Sequence, residues 1–298
     1  MTSQLTAPSM IEKLTWTWRG HQIQYTVQGS GLSVILIHGF GASMGHWRKN
    51  IPVLSDAGYR VFALDLLGFG NSDKPRLDYS LDLWESLLKD FWIEQVQQPA
   101  VFVGNSMGGL LTLIMLANHP EIPRGGVLLN SATGLTLRPD EIPFPLQLIM
   151  GAFRKLASSQ LMGPFMFDQI RQKHRIRRSL RQVYGNREAI TDELVEILYQ
   201  PSCDPGAQKV FASILSASAG PRPSELLPRI QQPLLALWGE KDPWTTIKTA
   251  DIYRQLSQDS KGQLSVKFQS IPKTDHCPHD ERPEVINPLI IEWLATVR

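Results

Sequence analysis

Ala100-Val101-Phe102-Val103-Gly104-Asn105-Ser106-Met107-Gly108-Gly109-Leu110-Leu111-Thr112-Leu113-Ile114-Met115 reads as a buried strand, a sharp turn and a buried helix. The apolar run before the turn has the composition of a strand covered on both faces. Gly104 and Gly108 flank Ser106 where side chains would collide in a tight strand-to-helix turn. A G-x-S-x-G turn in this setting lifts the central hydroxyl above the sheet edge, at the N-terminus of the following helix. Ser106 is therefore the candidate nucleophile. The bland alternative, a glycine-rich turn, does not require a strand before it and a helix after it.

Working outward, 14–18, 23–27, 33–37, 60–64, 126–130, 233–238 and 264–270 read as further strands, those at 33–37 and 60–64 as continuous apolar runs. Residues 81–91 carry Leu83, Trp84, Leu87, Leu88 and Phe91 at helical spacing, and 287–297 close the chain as a helix. Near-continuous apolar strands alternating with helices predict an α/β fold with a mostly parallel eight-stranded sheet covered on both faces. The strand signal stops after Ala132 and returns near Pro228. We read 1–131 and 229–298 as the core and 132–228 as a helical cap inserted after the sixth strand.

A serine hydroxyl needs a general base, and the base needs a group that orients it. In open α/β sheets these groups sit at the carboxyl ends of strands. Asp242, in Gly239-Glu240-Lys241-Asp242-Pro243-Trp244, is the candidate orienting carboxylate, with Glu240 as competitor. His276, in Asp275-His276-Cys277-Pro278-His279, is the candidate base, with His279 as competitor beyond Pro278. His21, His119 and His174 read as structural or solvated. Backbone amides of Met107 and Phe40, the latter in His38-Gly39-Phe40-Gly41, are the candidate oxyanion donors. His38 is expected to pack and hydrogen-bond beneath that loop.

The net charge of +2 gives no general argument for nucleic acid. Cys203 and Cys277, the two cysteines, indicate no disulfide framework and suit a reducing compartment. Met1–Met10 lacks the basic and apolar regions of a signal peptide, and no apolar run is long enough to span a bilayer. The expectation is a cytoplasmic, non-secreted protein. Neither metal nor organic cofactor is called for, since no Cys/His cluster has zinc spacing. Composition leaves the oligomeric state open.

With these residues in place, the chain resembles the α/β-hydrolase superfamily, in which nucleophile, acid and base follow in the order of Ser106, Asp242 and His276. The resemblance covers about 12–131 and 229–297. It implies a structural turn at Asp65 and Gly68, and a cap over the site. His46-Trp47-Arg48-Lys49-Asn50-Ile51-Pro52-Val53-Leu54, 65–75 and 104–109 resemble the subgroup containing chlorophyll dephytylase and pheophytinase. That resemblance implies hydrolysis of the phytyl ester of chlorophyll or a related tetrapyrrole at a photosynthetic membrane. The apolar cap segments 144–153 and 161–167 read both as packing against the core and as a wall for a hydrocarbon chain. Gly39, Asn105, Phe144, Met150, Phe153, Met162, Phe165 and Met166 form the expected substrate-binding set. Arg171, Lys173, Arg175, Arg177, Arg178 and Arg181 form a basic run, read either as a solvated helix face or as a contact with anionic lipid.

Ser106 excludes the carboxylate chemistry of epoxide hydrolases and haloalkane dehalogenases of this fold. General esterase or lipase activity, carbon–carbon bond hydrolysis and cofactor-free peroxidation keep serine and stay open. So does a ligand receptor or scaffold without turnover.

Overall fold

A computed structural model describes residues 12–141, 143–259 and 264–297. The leader reading of Met1–Met10 lies outside them. Eight strands, β1 (Leu14–Trp18), β2 (His21–Gln28), β3 (Leu32–Ile37), β4 (Tyr59–Leu64), β5 (Ala100–Asn105), β6 (Pro123–Leu129), β7 (Leu234–Gly239) and β8 (Val266–Ile271), form one sheet. Their spatial order is β1-β2-β4-β3-β5-β6-β7-β8. The pairings of β1 with β2 and β2 with β4 are antiparallel and the others parallel. The carboxyl ends of β3 and β5 to β8 therefore share one edge, as the expected mostly parallel sheet requires.

On one face of the sheet, Ile35, Phe62 and Phe102 pack with Trp84 and Leu87 of α2 (Leu81–Phe91) and Leu110 and Leu113 of α3 (Met107–Asn118). On the other, Val34, Val101 and Val127 pack with Leu54 of α1 (Ile51–Asp56) and Ile286, Ile290 and Trp293 of the last helix. Burial on both faces explains why the central parallel strands read as near-continuous apolar runs, whereas β8, at the sheet edge, keeps Lys267, Gln269 and Ser270.

Between β6 and β7 lie α4 (Phe144–Ala157), α5 (Met162–Ile170), α6 (Lys173–Val183), α7 (Asp192–Ser202), α8 (Ala207–Leu215) and α9 (Pro223–Leu226). After β7 come α10 (Asp251–Gln258), α11 (Pro278–Glu281) and α12 (Pro283–Leu294). The terminal helix starts earlier than the apolar spacing indicates, because Pro283 occupies its first turn, where a missing N–H costs nothing. Among the described residues no helix is long and apolar enough to cross a membrane.

Candidate active site

Ser106 sits at φ 55° and ψ −119°, between the end of β5 and the start of α3. A Cβ on Gly104 would lie 2.0 Å from the Gly108 carbonyl oxygen, and one on Gly108 would lie 2.2 Å from that of Ile37. Neither backbone can step aside, so glycine is required at both positions. The turn is tied down further: the Ser106 amide donates to the Leu129 carbonyl at 3.0 Å, and the Ser106 carbonyl accepts from the Ala132 amide at 2.9 Å. The strained serine conformation is thus imposed by two strands and a helix.

Asp242 follows β7 and is buried. Its Oδ2 accepts from His276 Nδ1 at 2.7 Å, from Asn130 Nδ2 at 2.7 Å and from the Thr245 hydroxyl. Its Oδ1 accepts from the Trp244 amide at 2.7 Å and the Thr245 amide at 3.1 Å. Burial alone would raise this carboxyl. The bond to His276 and its charge, the Thr245 hydroxyl and the Trp244 amide outweigh it, and the group lies below the ordinary carboxylate range. Asn130 also accepts from the Gly239 amide at 2.9 Å, so one side chain holds both the acid and the end of its strand. Its φ of 43° is a conformation asparagine tolerates.

His276 is held through its backbone as well as its ring. Its amide donates to the Val183 carbonyl at 3.2 Å, linking the loop to the end of α6. Its carbonyl accepts from Asn105 Nδ2 at 2.9 Å. Glu281 accepts from the preceding Asp275 amide at 2.9 Å and the Asn186 amide at 2.8 Å. With Asp242 accepting at Nδ1, the Nε2 side of the imidazole is left to take a proton. Ser106 and His276 line the same cavity.

Met107 opens α3, where backbone amides lack intrahelical acceptors. Among the described residues neither the Met107 nor the Phe40 amide has a hydrogen-bond partner. Phe40 and Gly39 line the cavity, and a Cβ on Gly39 would come within 3.2 Å of Ser106 Cβ. Two free amides beside a strained serine can stabilise developing negative charge.

The cavity has a volume of about 430 Å³ and is walled largely by apolar groups, among them Leu135, Phe167, Leu180, Val210, Phe211 and Trp244. Trp244 sets its ring edge-on to His276, with centroids 5.1 Å apart. Of the expected substrate-binding set, Gly39 and Asn105 line this cavity. Phe144, Met150, Phe153, Met162, Phe165 and Met166 do not line this cavity. Phe144 is 71% exposed and Phe165 60% exposed. The apolar spacing between β6 and β7 indicated helices but not which of their faces borders the cavity: Phe167 and Ile170 of α5 line it instead. Asn105 borders the cavity, but its buried amide is engaged with the Leu129 and His276 carbonyls. It positions the histidine loop.

The competitors separate clearly. Glu240 accepts from the Ser270 hydroxyl at 2.8 Å in an exposed pair. His279 is fully buried with its ring on Trp47, centroids 4.1 Å apart, and does not border the cavity. His38 Nε2 accepts from the Leu66 amide at 3.1 Å, and its Nδ1 contacts the Gly39 carbonyl at 2.7 Å, beneath the Phe40 loop. Asp65 accepts from the Met44 amide at 2.6 Å and the Asn71 amide at 2.7 Å, a structural turn. Another hollow, of about 820 Å³, lies at the opposite ends of the strands around Gly31, Tyr59 and Gln98, away from this chemistry.

Sequence reasoning missed Asn130, Thr245, Trp244 and Glu281. Asn130 carried one signal: a polar residue directly after an apolar strand at the active edge. Thr245 and Trp244 followed Asp242 in the same loop.

Comparison with known proteins agrees with this architecture. A family model described as "Alpha/beta hydrolase family" matches residues 34–289. The chain is 27% identical to the chloroplastic pheophytinase of Arabidopsis thaliana over 88% of its own length. It spans only 61% of the length of that relative. It is 30% identical to the 2-hydroxy-6-oxo-6-(2'-aminophenyl)hexa-2,4-dienoic acid hydrolase of Metapseudomonas resinovorans, covering 89% of this chain and 84% of that protein. A serine hydrolase involved in carbazole degradation has a similar crystal structure, with a TM-score of 0.74 and 24% identity over 96% of this chain and 100% of that one. That last likeness concerns the fold.

Proposed function

The chain belongs to the alpha/beta hydrolase family, and on that premise we propose that it is a serine hydrolase cleaving a carboxylic ester through an acyl-enzyme. The observation that carries the reading is the His276 Nδ1–Asp242 Oδ2 contact of 2.7 Å beside a cavity that Ser106 also lines. His276 Nε2 takes the Ser106 proton as the oxygen attacks the ester carbonyl. The Met107 and Phe40 amides receive the oxyanion, and the imidazolium then protonates the departing alcohol. Water, deprotonated by the same imidazole, attacks the acyl-enzyme and releases the acid and the serine. Asp242 fixes the histidine tautomer and stabilises its cation.

The substrate we infer is the phytyl ester of chlorophyll or a related tetrapyrrole. Support comes from the pheophytinase relative and from the apolar cavity wall, which suits a hydrocarbon tail. At roughly 0.8 kcal/mol per buried CH₂, a long isoprenoid chain would supply much of the binding energy. The dienoic acid hydrolase relative favours a second reading, carbon–carbon bond cleavage by the same side chains.

A fluorophosphonate probe should label the natural chain and not Ser106→Ala. A folded natural chain that never labels would instead identify a binding protein. Incubation with chlorophyll a, pheophytin a, p-nitrophenyl esters and a 2-hydroxy-6-oxo-dienoic acid then separates the substrates. Release of phytol supports the dephytylase reading. Rapid turnover of short esters or of the dienoic acid, with both pigments untouched, removes it.

A further inference from the structure

The α4–α5 hairpin turns large apolar side chains away from the protein. Leu148, Ile149, Phe153 and Leu156 on α4, and Met162 and Phe165 on α5, are exposed, and Leu161 between the helices is 88% exposed. Such a concentration on two consecutive helices marks an interaction surface. Its charge is one-sided. No acidic residue occurs between Glu141 and Asp168; Arg154 and Lys155 are the charges on α4, and the one charge on α5, Asp168, is paired with Arg171. Among the described residues neither Arg154 nor Lys155 has an acidic partner. Lys155 falls on the helical stripe of Phe144 and Leu148, so its stem can lie along the apolar surface with its ammonium at the rim.

Half of the basic run that follows is paired with acids. Arg171 pairs with Asp168, Lys173 with Glu196 and Arg177 with Asp192. A two-fold contact of this face with a second copy would bring Arg154 and Lys155 of both chains together, and the one acid on the hairpin, Asp168, is already paired with Arg171. An anionic lipid surface satisfies both features: apolar groups enter the acyl boundary while the cations meet head groups.

We propose that the α4–α5 hairpin docks the protein on an anionic membrane and opens a route from the lipid to the cavity. The route follows from the helical period. Met162 and Phe165 share the outer face of α5, while Gly163, Phe167 and Ile170, at spacings of four and three, share the inner one. Gly163 seats α5 against the end of α4 and Gln208 of α8. Inward, the Phe167 ring meets Phe211 at 5.4 Å between centroids, and Phe211 meets Phe40 of the oxyanion loop at 6.2 Å. An apolar substrate that has passed α5 thus meets aromatic surface from Phe167 as far as the candidate donors. Docking stands on the surface alone; delivery of substrate rests on the hydrolase reading.

The test is flotation of the full chain with vesicles of phosphatidylcholine, or of phosphatidylcholine mixed with phosphatidylglycerol. The natural chain should float with the mixed vesicles. Leu148→Glu/Leu161→Glu should lower the bound fraction at least ~10-fold while short-ester turnover stays unchanged. Arg154→Glu/Lys155→Glu should lower binding to the mixed vesicles by roughly 30-fold or more and leave the weaker binding to neutral vesicles unchanged. Ser106→Ala should float like the natural chain, which separates failure of docking from failure of the hydrolase reading. Three results would overturn the proposal: a natural chain that stays in solution with every vesicle, flotation unmoved by Leu148→Glu/Leu161→Glu, or a solution dimer that this variant splits.

Discussion

Around β7, β8 and the serine turn, side chains are fixed by many bonds. Asp242 accepts from His276, Asn130, the Thr245 hydroxyl and the Trp244 and Thr245 amides. Between β6 and β7, α4 and α5 touch α8 on one side and leave their other side apolar and exposed. In the first region, removing a single atom group disturbs a charge that cannot rehydrate. In the second, an outward side chain has little inside the protein to lose. The contrast separates where chemistry is set from where the molecule meets its surroundings, and each substitution below presses on one side of it.

Asp242→Asn presses hardest. The amide keeps the shape but removes the charge and permits the wrong histidine tautomer, so kcat should fall by ~10⁴-fold. Glu240→Gln, two residues away in an exposed pair, should leave kcat unchanged. Steady-state ester hydrolysis by the two variants is the measurement, and equal losses would dissolve the distinction drawn between the carboxylates.

Next is the acid behaviour of a buried cluster beside the site. His46 Nε2 lies 2.6 Å from the Tyr184 hydroxyl, which donates to Asp280 at 2.8 Å. Burial pushes His46 down from 6.5 to about 4; Asp280 opposes this, while the charges of Arg48 and Lys49 reinforce it. The folded chain therefore keeps His46 neutral where the unfolded chain takes up a proton. The stability it contributes is complete above pH 6.5 and is lost as pH falls toward 4. Between about pH 7 and about pH 4.5 the loss from this group should be roughly 2–3 kcal/mol, read from urea midpoints. His279, also lowered by burial, acts in the same direction. Asp280, whose burial is outweighed by the surrounding cations, loses its share only at still lower pH. His46→Gln should flatten the slope in part; an unchanged slope would show that other groups carry it.

Asn130→Gly tests whether the acid is held from behind. Glycine keeps the positive φ and removes the amide bonded to Asp242. A hydrogen bond to a buried charge is worth about 1.5–3 kcal/mol, so kcat should fall ~10–100-fold while KM stays near its natural value. A larger KM with kcat intact would instead assign Asn130 to the cavity wall.

Legibility in the sequence follows the same division. The serine turn was readable because steric exclusion leaves glycine alone at 104 and 108 and because both flanking elements are predominantly apolar and almost wholly buried. The Asp242 loop was readable because it directly follows such a strand, and the His276 loop because it follows the last strand of the sheet. Asn130 was not, since short polar residues end many strands and only the fold brings this one to within 2.7 Å of Asp242. The lining of the cavity was not readable either. Helical spacing shows that Phe165 and Phe167 point to different sides, but which side faces inward depends on how Gly163 seats α5 against α8.

Leu161→Ser is the smallest effect and tests the other half of the contrast. A leucine in a core typically costs 2–5 kcal/mol on truncation, because transfer and cavity terms add. At 88% exposure Leu161 has neither term to lose, and an unfolding midpoint shift equivalent to less than about 0.5 kcal/mol is expected. Serine also removes apolar surface from water, so a slight gain in solubility accompanies the neutral stability. A loss of several kcal/mol would mean that Leu161 is covered in solution by protein. The hairpin would then belong to the packed part of the molecule, with no surface to offer a membrane.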